Sequence, residues 1–89
     1  MTTKANKTLN IAGSYESRAG RYYVTEDRAW KVRLEGNNEA VAIHNSRDMY
    51  RLVGDTTYNV RERRTVSPGG TVHQDVVALV AQVRSIESQ

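Results

Sequence analysis

The chain contains no cysteine, a single proline and a single tryptophan. The missing thiols exclude a disulfide scaffold, a thiolate nucleophile and any Cys-ligated zinc or iron–sulfur site. They leave the redox compartment open, because cysteine-free chains occur on both sides of a membrane. Long hydrophobic stretches are also lacking. The longest apolar run is Val76-Val77-Ala78-Leu79-Val80-Ala81, far short of the ~20 residues that cross a bilayer. No apolar stretch follows Met1-Thr2-Thr3-Lys4-Ala5-Asn6-Lys7, so the start of the chain does not read as a secretory leader. The expectation is a soluble protein of the cytoplasm, the host cytoplasm if its origin is viral, with no membrane partner.

What is present fits one small domain. The 89 residues are 38% apolar, a modest supply for a core. A chain of this length buries only about 60–65% of its unfolded surface. Self-association would relieve that shortage. Residues 1–7 are polar and read as a loose tail, leaving 8–89 as a single α+β domain.

Strand periodicity dominates the middle of the chain. Thr8-Leu9-Asn10-Ile11-Ala12 alternates weakly and reads as an edge strand ended by Gly13-Ser14. Gly20 to Thr25 gathers aromatic and β-branched residues. In Ala29 to Glu35, Trp30, Val32 and Leu34 take one face, and Lys31, Arg33 and Glu35 the other. That is the period of a half-buried strand. Gly36-Asn37-Asn38 reads as a turn into Glu39–His44, with Val41 and Ile43 expected inward. Two readings compete for the next segment. A short helix near 46–53, capped by Ser46 and stopped by Gly54, puts Met49, Leu52 and Val53 on one side. A strand over Met49–Val53 is the alternative. Thr56 to Val66 reads as one long strand, with Arg61 and Arg63 on a common face. Ser67-Pro68-Gly69-Gly70 ends it.

The last segment predicts an amphipathic helix. Thr71 and Gln74 have capping-box spacing. Val72, Val76, Leu79, Val80, Val83 and Ile86 form one stripe at 100° per residue. Valine is a weak helix former, so packing must hold the helix. The predicted architecture is an antiparallel sheet of three to five strands packed on one C-terminal helix. In outline this is similar to the arm-type DNA-binding domains at integrase N-termini. That likeness implies a sheet presented to a DNA groove, and it is one of architecture, carried by no residue motif.

Chemistry-bearing motifs are few. His44 and His73 lack companion ligands at metal-binding spacing. No nucleophile elbow surrounds any serine. Gly69-Gly70 precedes a helix without a Walker lysine or dinucleotide fingerprint. The reading is non-enzymatic, with no catalytic, cofactor or metal residues and no cofactor.

Charge is more informative. Ten of the 13 basic residues are arginine, whose planar fork suits carboxylates and phosphates. Residues 21–50 balance five positive against five negative side chains, whereas Arg61-Glu62-Arg63-Arg64 is strongly basic. Lys31, Arg33, Tyr58, Arg61, Arg63 and Arg64 are the candidate partner-binding residues, for protein or for nucleic acid. Val77, Ala81 and Arg84 fall off the main helix stripe and form a candidate oligomer face. The leading expectation is a protein-binding module, an oligomeric accessory or inhibitory factor of phage or mobile-element type. A nucleic-acid-binding module using an Arg-rich sheet face is the alternative.

Overall fold

The computed structural model describes residues 9–89, so the expected tail over 1–7 lies outside the described residues. Among the described residues seven strands follow one another: β1 (Ile11–Ser17), β2 (Gly20–Thr25), β3 (Trp30–Leu34), β4 (Glu39–His44), β5 (Asp48–Val53), β6 (Thr56–Asn59) and β7 (Arg64–Thr65). They form one antiparallel sheet whose spatial order equals the chain order. The helix α1 (Thr71–Glu87) then packs on one face. The α+β class with a single C-terminal helix is therefore as predicted. The sheet has more strands than the expected three to five.

Three predicted elements change. The segment near 46–53 is strand, not helix. Asn45 and Ser46 both have left-handed φ, 52° and 63°, so Ser46 belongs to a hairpin loop and caps nothing. Burial follows period two, with Tyr50 and Leu52 turned in and Met49 and Val53 exposed. Pairing on both sides outweighs the helical spacing of Met49, Leu52 and Val53. The long strand over 56–66 is broken by a turn at 60–63. The Asn59 side-chain oxygen accepts from the Glu62 N–H at 2.9 Å, and its carbonyl accepts from the Arg63 N–H at 2.8 Å. An asparagine that mimics a backbone turn can end a strand without glycine or proline. At the other edge, Gly13 and Ser14 lie inside β1 instead of ending it.

The core sits between α1 and the sheet. Tyr23, Trp30, Val32, Tyr50 and Leu52 meet Val76, Leu79, Val80 and Val83, and Leu34 packs at the margin. The phase of β4 is opposite to the expected one. Ala40 and Ala42 face the helix, while Val41 and Ile43 sit on the other face beside Arg33 and Lys31. The cause is loop length. Glu35 donates to the Glu39 carbonyl at 2.9 Å, closing a three-residue loop that pairs Leu34 with Ala40 and Val32 with Ala42. A two-residue turn would have paired Val32 with Val41. Alanine at both inner positions leaves room for the helix.

Polar groups fasten the helix to the sheet. The Thr57 hydroxyl lies 2.8 Å from His73 Nδ1, so His73 is a half-buried anchor. Tyr23 donates to the Glu87 carboxylate at 2.5 Å. The expected Thr71–Gln74 capping box is not made. Gly70 is the N-cap and Thr71 the first helical residue. The tight Ser67–Gly70 turn, with Gly70 donating to the Ser67 carbonyl at 3.0 Å, delivers the chain one residue earlier. Ile86, expected in the buried stripe, is 38% exposed at the helix end.

Candidate interaction surface

The sheet face opposite α1 carries no helix among the described residues. Register places one side chain from each strand in a single cross-strand row on this face. Tyr15 pairs with Tyr22, and the Arg33 guanidinium lies over the Tyr22 ring at 5.5 Å. Arg33 pairs with Val41, Val41 with Arg51, Arg51 with Tyr58, and Tyr58 with Thr65. The row therefore reads Tyr15, Tyr22, Arg33, Val41, Arg51, Tyr58, Thr65. Side chains directly opposite across antiparallel strands touch, so the row is a continuous strip.

Lys31 thickens one end of the strip. Its ammonium stands 5.2 Å above the Tyr22 ring and 3.3 Å from the Tyr15 hydroxyl. Tyr15 and Tyr22 stack with centroids 5.7 Å apart. These cation–π and stacking contacts hold the aromatic rings in fixed positions on an open surface.

The centre is electrically balanced. Glu35 accepts from Arg33 at 2.5 Å and from Arg51 at 2.9 Å, and Glu39 accepts from Arg51 at 3.0 Å. Hydrogen bonding from Arg33, then from Arg51, holds the Glu35 carboxyl below the ordinary carboxylate range. Two arginines are matched by two carboxylates, and Val41 beneath them is only 2% exposed. An arginine so neutralised attracts a polyanion weakly, yet it still offers a flat, partly desolvated surface.

The predicted residues separate into three places. Lys31, Arg33 and Tyr58 lie on the open face. Arg61 and Arg63 occupy the turn after β6, and Arg64 begins β7 paired with Glu62 at 2.9 Å. Arg61 reaches Asp48 only at 4.0 Å. The common strand face expected for Arg61 and Arg63 is absent, because neither residue is in a strand. On α1, Val77 and Ala81 are exposed, whereas Arg84 turns back to the Gly36 and Glu39 carbonyls at 3.2 and 3.5 Å. Sequence reasoning missed Tyr15, Tyr22 and Arg51. The three-residue loop would have revealed the β4 phase, and strand spacing through Arg51 would have placed it in the row. No family model, curated protein or solved structure matches the chain.

Proposed function

We propose that this protein is a non-catalytic protein-binding module, an accessory or inhibitory factor that docks through the open sheet face. The observation that carries the reading is the Tyr15–Thr65 row, with its two arginines neutralised in place. Tyrosine and arginine are enriched among residues that dominate binding energy, and Lys and Glu are depleted. A rigid sheet presents them at low entropic cost. The exposed Met49 and Val53 add apolar area beside the row.

A second reading, nucleic-acid binding, has support from the Arg61–Arg64 turn, where Arg61 has only a distant carboxylate. Backbone phosphates would engage such a cluster. Capture from lysate with and without nuclease separates the two. The protein reading expects a protein retained after nuclease and lost from a Tyr22→Ala/Tyr58→Ala double variant. Loss of all bound protein on nuclease treatment overturns it.

A further inference from the structure

We infer that β1 receives an extended, acidic segment of a partner protein as an added strand. The inference rests on the protein-binding reading above and names the chemistry of the partner.

The two edges of the sheet differ. β7 is two residues long and offers little backbone to a partner. β1 is seven residues long and, among the described residues, pairs only with β2. Natural edges are guarded by proline, charge, a bulge or short length, and the register irregularity of β1 lies at its start, between Ile11 and Gly13. β1 has no proline or lysine, and its one charge, Glu16, is held by Arg21 at 2.6 Å. Its beginning is nonetheless closed. The Gln82 carboxamide accepts from the Ile11 N–H at 2.7 Å and donates to the Leu9 carbonyl at 2.8 Å. A glutamine from the helix thus stands in for a neighbouring strand there. Beyond it no described residue covers the edge.

The second observation lies beside that open stretch. A shallow concavity of about 500 Å³ is lined by Gly13, Tyr15, Val24, Glu26, Arg28 and Lys31, among others. Gly13 leaves it unfilled, since a Cβ there would meet nothing within 4 Å. Lys31 extends across β2, and its ammonium reaches the Tyr15 hydroxyl on β1. Among the described residues neither Lys31 nor Arg28 makes an ion pair. Glu26 is the one carboxylate on the rim. A strand laid along β1 would point alternate side chains over this face, about 6.8 Å apart. Carboxylates at those positions would meet Arg28 and Lys31, while main-chain bonds to β1 supply the remaining affinity.

The test is an array of nine-residue peptides in which Val or Thr alternates with Glu, Lys or Ser, titrated against the whole protein. The Glu series should bind at least tenfold more tightly than the Lys and Ser series. Methylating one of the two alternating sets of peptide amides, the set that faces β1, should abolish binding, and methylating the other should not. An Arg28→Ala/Lys31→Ala variant should lower Glu-series affinity at least tenfold. Gly13→Phe, which fills the concavity and leaves both cations, should weaken it as well. Absence of Glu-series binding, equal binding of all three series, or indifference to amide methylation overturns the inference. If the Glu peptides fail while Tyr22→Ala/Tyr58→Ala still abolishes partner capture, strand addition falls alone. If that variant captures the partner normally, the open-face reading falls.

Discussion

Arg33 and Arg51 flank Val41 from the two neighbouring strands and share the carboxylate of Glu35. An aliphatic side chain on the face away from the helix is thereby covered by charged groups that neutralise one another. Glu35→Ala removes the shared acceptor and leaves two cations close together. The expected loss is about 1 kcal/mol, small because the groups remain partly solvated. Urea unfolding measures it, and Val41→Ala in the same background should cost less than in the wild type, because the cover is already loosened.

The helix–sheet core makes a sharper demand. Leu79 is fully buried, whereas Val77, two residues earlier, is 38% exposed. Leu79→Ala should cost about 2–5 kcal/mol. Val77→Ala should stay within about 0.5 kcal/mol. Equal effects in denaturant unfolding would contradict the orientation of α1.

The parts of the fold that could be read from the chain are those where one physical signal acts alone. Trp30, Val32 and Leu34 alternate with charges, and the helix stripe has no strand-like rival. β4 failed because Ala40, Val41, Ala42 and Ile43 are all apolar, so either phase buries hydrophobic surface. Loop parity then decides. β5 stays open between helix and strand in the sequence because Met49, Leu52 and Val53 satisfy helical spacing while Tyr50 and Leu52 satisfy the strand period. The break after Asn59 was hidden because a side-chain hydrogen bond makes that turn. The Tyr15–Thr65 row depends on every register at once, so it emerges only when all seven strands are placed.

Acid should weaken the fold through two carboxyls. Asp27 is held low by the Ala29 N–H, then by the Thr25 hydroxyl, and Glu35 by Arg33, then by Arg51. Both folded-state values lie below the unfolded ones, about 3.9 for Asp and 4.3 for Glu. Their stabilisation is fully present above those unfolded values and is lost as pH falls through the lower folded ones. Unfolding midpoints should therefore drop below about pH 4. An Asp27→Asn/Glu35→Gln variant should show a shallower drop, and an unchanged slope would remove both groups from the account.

Gln82 closes the start of β1 from the helix. Gln82→Leu leaves the Ile11 N–H and Leu9 carbonyl without that partner. A loss of about 1–3 kcal/mol is expected. Hydrogen exchange should show it locally, with Ile11 exchanging faster while β3 and β4 stay protected. Uniform acceleration across the sheet would contradict a local role.

Arg61 and Arg63 sit in the turn after β6, off the row of the open face. Arg61→Ala/Arg63→Ala should slow association with a protein partner at low salt and change dissociation little. Nucleic-acid binding makes a different demand. Four phosphate contacts would give log affinity for duplex DNA a slope near −3.6 against log salt, about −0.9 per contact. Absence of duplex affinity at low salt is the expected result.

The central claim is that the open face, and not the outer side of α1, meets the partner. Hydroxyl-radical footprinting of the captured complex reads side-chain exposure on both surfaces. Tyr15, Met49 and Tyr58 are exposed on the sheet, and Val77 and Ile86 on the helix. The account predicts that labelling of Tyr15, Met49 and Tyr58 falls on complex formation while Val77 and Ile86 keep theirs. Protection of Val77 and Ile86 with undiminished labelling of the three sheet residues would contradict it.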